Sequence, residues 1–124
     1  MVPLKDFFER LSLPPERVRE QELLGWMAQI PDVMPISETE PRTRCRVAGV
    51  VRNIRINPQE GRSVEATITD GTGELTIRWL GRSSLQGVRL GIGIIAEGTR
   101  GDGSEGHAVI LNPEYHLTPG PEHG

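Results

Sequence analysis

From Arg44 onward the apolar residues of this chain fall largely at every second position, whereas before Pro41 they fall three and four apart. That change of period predicts a helical N-terminal segment followed by a run of strands. The alternating part divides into five strands, near 44–56, 63–69, 74–80, 92–100 and 107–112. In SVEATIT, Val64, Ala66 and Ile68 share one face, with Glu65, Thr67 and Thr69 on the other. In ELTIRWL, Leu75, Ile77 and Trp79 oppose Thr76, Arg78 and Leu80. Extending this pattern gives an expected core of Val47, Val51, Ile68, Leu75, Ile77, Ile94 and Val109. Punctuation between the strands is plain. NPQEG (57–61) is a turn, and DGTG (70–73) is a tight one, in which Asp70 can accept backbone N–H bonds and the glycines tolerate positive φ. GDGSEG (101–106) reads as a hairpin loop. GRSSLQGVRLG (81–91) has room for one or two helical turns. Gly49, in the middle of the long first strand, marks a bulge or bend.

Upstream, PLKDFFERL (3–11) predicts a short helix. Pro14-Pro15 then breaks the chain and opens a second helix through ERVREQELLGWMAQI, up to Pro31. Leu23, Met27 and Ile30 form an apolar stripe on it, widened by Trp26, and this stripe is expected to cover one end of the strand core. Residues 31–41, with three prolines, read as an extended linker. NPEYHL leads out of the last strand, and the tail from 118 to 124 is expected to be disordered. The expected architecture is therefore all-β: a five-stranded Greek-key barrel of the OB type over 42–117, with a short helical N-terminal extension and Pro-rich linker over 1–41.

Composition changes this picture little, except in its charge. A chain of 124 residues with 35% hydrophobic and 25% charged residues fits one ordinary domain. The single cysteine, Cys45, forms no intramolecular disulfide. The charged N-terminus lacks the apolar run of a signal peptide, and no stretch is long and apolar enough for a membrane helix, so the expected location is the cytoplasm. The net charge of −3 conceals a division. Residues 1–40 and 101–124 are acidic, whereas 41–100 carry ten arginines against five acids. Arginine can fork onto phosphate and stack on bases in ways lysine cannot.

The order of the segments RVAGVVRNIRI, ATITDGTGELTIRWLGR, GIGIIAEG and NPEY resembles the anticodon-binding/RecG-wedge group of OB domains. W-L-G-R and N-P-E-Y are most similar to the small free-standing OB-fold proteins of actinobacteria. The resemblance covers about 42–117 and implies an OB barrel, with nucleic-acid binding as a tendency of the class. Residues 1–40 do not resemble the RecG context, and no helicase motor is present.

Candidate chemistry follows from the arginines. Arg46, Arg52, Arg55, Arg62, Arg78 and Arg82 lie on or beside the first three strands, where OB domains bind single strands. They predict a phosphate-tracking groove for single-stranded DNA or RNA; five or more of the ten arginines converging on the strand two–three face would support it. The few aromatics limit stacking: Trp79 shares its face with Leu75 and Ile77 and belongs to the core, and Tyr115 to the barrel end. The alternative is a protein-interaction module that docks a partner through the barrel or the N-terminal helices. No catalytic, cofactor or metal site is expected, and no small-molecule substrate. His107, His116, His123 and Cys45 lack metal-ligand spacing, Ser83-Ser84 has no partner nearby in sequence, and GDGSEG is not followed by the G-K-[ST] of a phosphate loop.

Overall fold

The structure, a computed structural model, describes residues 15–57, 62–82, 84–103 and 106–121. The expected helix over 3–11, most of the NPQEG turn and the last three residues lie outside the described residues. The strands are β1 (Arg44–Asn57), β2 (Ser63–Thr69), β3 (Glu74–Leu80), β4 (Gly93–Asp102), β5 (Ala108–Leu111) and β6 (Glu114–Thr118).

β1 is long because it serves two neighbours. Arg44–Val50 pairs with β4 and Val50–Asn57 with β2, both antiparallel. β2 pairs antiparallel with β3, and β3 pairs parallel with β5 over Thr76–Arg78 and Val109–Leu111. β5 lies antiparallel to β4, which returns to β1. The order β1-β2-β3-β5-β4-β1 closes a five-stranded barrel of the OB type, which removes the exposed edges an open sheet would leave. Strand ladders and alternation put Val47, Val51, Ile68, Leu75, Ile77 and Ile94 in the core, as expected.

The structure corrects five local expectations. Val109 is only half-buried, and its neighbour Ile110 fills the core instead. AVIL has no polar position to reveal its inward face; the pairing Arg100↔Ile110 decides it. The register shift in β1 falls between Val51 and Asn53, not at Gly49. Gly49 instead gives Ile68 room: a Cβ there would lie 2.9 Å from the Ile68 Cβ. Residues 81–91 form turns, with no helix among those described.

NPEYHL does not lead out. Asn112, at φ 47°, bends the chain, and the residues after it run back along β4 as β6. The Asn112 N–H donates to the Arg78 carbonyl (2.7 Å), and its Oδ1 accepts the Leu80 N–H (2.9 Å), so the side chain extends the β3 ladder past the bend. The last correction concerns the segments outside the barrel. Residues 31–41 are not a free linker: Ile36 is buried in a one-turn 3-10 helix (Ile36–Glu38), and the Met34 N–H donates to the Arg46 carbonyl. The tail is also held beyond residue 118, since the Pro119 carbonyl accepts the Trp26 Nε1–H (3.0 Å).

Helix α1 (Pro15–Ala28) lies over the barrel end formed by the β2–β3 turn and the start of β4. Leu23 is buried there. Trp26 lies over Gly93, where a Cβ would come within 2.6 Å of its ring. The apolar stripe thus covers the barrel end, as expected, and Ile30 falls just beyond the helix. No described helix is long and apolar enough to cross a membrane.

Candidate functional site

The outer faces of β1, β2 and β3 carry side chains whose register sets them in rows. Arg55, Glu65 and Arg78 are directly paired across the three strands, with Thr67 and Thr76 in the adjoining row. Alternation forces this arrangement: Ala66, Ile68, Leu75 and Ile77 point inward, so their neighbours point outward. The Arg78 Nε lies 3.2 Å from the Glu65 carboxylate. Its direction is not that of a hydrogen bond, so this buried Nε–H lacks a hydrogen-bond partner. Arg55 makes no ion pair among the described residues.

This row forms one wall of an open groove of about 950 Å³. β5 supplies Val109 and Leu111, the β4–β5 hairpin supplies Gly101–Gly103 and His107, and the entry to β1 and its first residue supply Arg42 and Arg44. Strands two and three with the strand four–five loop are the surface on which OB barrels take their ligands.

The groove collects five of the ten arginines of 41–100: Arg42, Arg44, Arg55, Arg78 and Arg100. Four carboxylates stand among them, those of Glu65, Glu97, Asp102 and Glu114. Arg44 reaches Glu97 at 2.7 Å and Glu114 at 3.8 Å. The hydrogen bond and charge of Glu97 raise the Arg44 pKa above its ordinary value. Arg100 is largely spent on structure. It donates to the Thr39 carbonyl, to Thr39 Oγ1 (3.0 Å) and to Asp102 (3.3 Å), fastening residues 31–41 to β4.

Of the six expected arginines, only Arg55 and Arg78 come together in this groove. Arg46 approaches Glu97 (3.8 Å), a groove residue, without lining the groove itself. Arg52 lies at the opposite end, where it lines a small pocket beneath α1 with Arg19, Glu22 and Leu23. Arg62 and Arg82 are exposed at the ends of β2 and β3, where the Gly81 N–H donates to the Arg62 carbonyl. Sequence reasoning missed Arg42, Arg44 and Arg100. The β1–β4 pairing brings them to the site, and no local pattern announces a contact between residues more than fifty positions apart.

Trp79 is 3% exposed, and Tyr115 packs edge-on against it with ring centroids 5.3 Å apart. Neither faces the groove. Cys45 is buried, and burial raises its thiol pKa against the opposing pull of Arg100 and Arg44. Among the described residues no three His, Cys, Asp or Glu side chains cluster as metal ligands.

No protein-family model matches the chain, and no curated protein matches it. Solved structures do. The chain is similar to a domain of replication protein A from Methanococcus maripaludis, at 15% identity and a TM-score of 0.57, over 71% of this chain and 97% of that one. It is similar to the same degree to the replication factor A related protein from Methanobacterium thermoautotrophicum, at 21% identity and a TM-score of 0.57, over 69% and 90% of the two chains. A looser match is RecG bound to a three-way DNA junction, at 17% identity and a TM-score of 0.46, over 87% of this chain and 17% of that one. At these identities the likeness is one of fold.

Proposed function

We propose that this protein binds single-stranded nucleic acid, without catalysis, in the groove beside β2 and β3. The observation that carries the proposal is the outward row Arg55–Glu65–Arg78 opening onto the β4–β5 hairpin, on the face OB barrels use for ligands. Similarity in fold to domains of replication proteins supports it. The similarity of W-L-G-R and N-P-E-Y to actinobacterial free-standing proteins adds a resemblance in sequence alone.

The groove's charge qualifies the strength of binding. Arg44, Arg78 and Arg100 already face carboxylates, which a phosphate must displace. Arg42 and Arg55 have no ion-pair partner among the described residues. Arg44 is exposed, where ion pairs are worth about 0–1 kcal/mol each, so its exchange for a phosphate is accessible, whereas Arg78 and Arg100 are more buried. Affinity is accordingly modest and dependent on salt. For the docking alternative, Leu23 and Trp26 are already engaged with the barrel, while the expected helix over 3–11 lies outside the described residues.

The test is a titration of the protein with a mixed-sequence 20-nucleotide single strand, its RNA counterpart and the duplex, at two salt concentrations. The expected result is binding of single strands over duplex, weakening as salt rises. Absence of binding at tens of micromolar protein in low salt removes the proposal and leaves protein docking in its place.

A further inference from the structure

The middle of the groove's wall holds an acid where a simple phosphate site would have none. Glu65 is paired on one side with Arg55 and on the other with Arg78. Its side chain is only 22% exposed, yet among the described residues no N–H or O–H donates a hydrogen bond to its carboxylate. Arg78 beside it is equally unsatisfied. Its Nε–H is buried without a hydrogen-bond partner, and its terminal nitrogens make no hydrogen bond among the described residues. Covered polar groups are normally hydrogen-bonded, so an acceptor and a donor left open side by side in one groove mark a place for a ligand's polar edge.

The chemistry of the pair decides which edge. A carboxylate between two guanidiniums weakens their hold on phosphate, so Glu65 faces a group that donates. The bases of a single strand provide one, because their pairing edges are free, whereas in a duplex those edges are bonded to each other. A carboxylate has two oxygens and is satisfied best by two adjacent N–H donors. Guanine alone among the bases presents such a pair on its pairing edge, N1–H and N2–H. Next to them stands O6, an acceptor that a guanidinium takes. Adenine, cytosine, thymine and uracil each offer a single donor nitrogen there. The cross-strand pair Glu65↔Arg78 supplies the matching set, two acceptors with a donor beside them. His107 lines the same groove from the β4–β5 hairpin, but stacking on a ring is tolerant of every base, so the choice falls to the polar pair.

We propose that Glu65, together with Arg78, selects guanine, which makes guanine-containing single strands the preferred ligand. The Glu65 carboxylate accepts from N1–H and N2–H, and a terminal nitrogen of Arg78 donates to O6. Arg42 and Arg55, without ion-pair partners among the described residues, are left to the phosphates. This rests on the groove being the single-strand site. One good bidentate contact to a base discriminates by at least about fivefold in affinity.

The test compares three 20-nucleotide deoxythymidine strands carrying deoxyguanosine, deoxyinosine or deoxycytidine at every fourth position. Inosine keeps N1–H and O6 and lacks only the N2 amino group. Wild-type protein should bind the guanosine strand at least about fivefold more tightly than either of the others, a comparison that needs no variant. Glu65→Gln should keep its fold by circular dichroism and thermal melting. It should bring the guanosine and inosine strands to near-equal affinity, and bind the inosine strand more tightly than wild type does, because a charge that repels phosphate is gone. Guanosine monophosphate should displace the guanosine strand only in large excess over its bases. Equal wild-type affinities for the guanosine strand and either of the others overturn the selection of guanine while leaving single-strand binding intact. A preference that survives in Glu65→Gln places the contact elsewhere and overturns it too. Displacement by the monophosphate at equal base concentration makes the ligand a nucleotide, which overturns the reading of a strand. Failure of all three strands to bind removes the underlying site, and the selection with it.

Discussion

At the residue scale, the carboxylate of Asp70 is fully buried because four donors converge on it. Thr72 N–H (2.8 Å), Thr72 Oγ1–H (2.6 Å) and Gly73 N–H (3.3 Å) close the β2–β3 turn, and Ile36 N–H (2.8 Å) joins that turn to the segment before β1. Gly71, at φ 90°, makes the turn possible. The sequence DGTG announced the local bonds, but the one from Ile36 spans 34 positions and had no local signal. Asp70→Ala strands these donors, three of them on the backbone, and should cost about 3–5 kcal/mol in denaturant melts; a loss under about 1 kcal/mol would contradict the account. Cys45 is chemically quiet for a related reason. Buried, with its thiol pKa raised, it should react slowly with a disulfide reagent in native protein and rapidly after unfolding. Rapid native reaction would show that the start of β1 opens.

At the element scale, β2 and β3 were legible because each alternates between core and outer positions along its middle, so burial is written into the sequence as alternation. β5 was not, because AVIL is apolar throughout and its orientation depends on β4. Exchanging residues on its two faces tests the register. Ile110→Ala should destabilise by about 2–5 kcal/mol, whereas Val109→Ala, half-exposed, should cost less than about 1 kcal/mol. The reverse order would restore the original expectation. β6 was missed because Asn112-Pro113 looks like a strand terminator, yet Asn112 carries the ladder around the bend with its own side chain. Asn112→Ala leaves the Leu80 N–H without that acceptor and should cost about 1–2 kcal/mol by thermal or chemical melting. A neutral result would mean that water replaces it.

At the scale of the whole molecule, the barrel places charges that the sequence scatters. Counting charge by segment identified the basic part of the chain, but not which arginines meet. Arg55 and Arg78 meet because β1, β2 and β3 are sequential neighbours, a relation that can be read from the hairpins. Arg42 and Arg44 join them only through barrel closure, and Arg52 is carried to the far end under α1. Arg52 and Arg55, three positions apart, therefore separate the structural site from the sequence-based one. The most direct measurement is a fluorescence-anisotropy titration of wild type, Arg55→Ala and Arg52→Ala against a mixed-sequence 20-nucleotide strand over a range of salt. If about three phosphates are contacted, the wild-type log–log slope is about −2. Arg55→Ala should weaken binding to all sequences alike and reduce the slope by about 0.7, while Arg52→Ala should match wild type. Equal losses in both variants, or no binding by wild type, would contradict a groove beside β2 and β3.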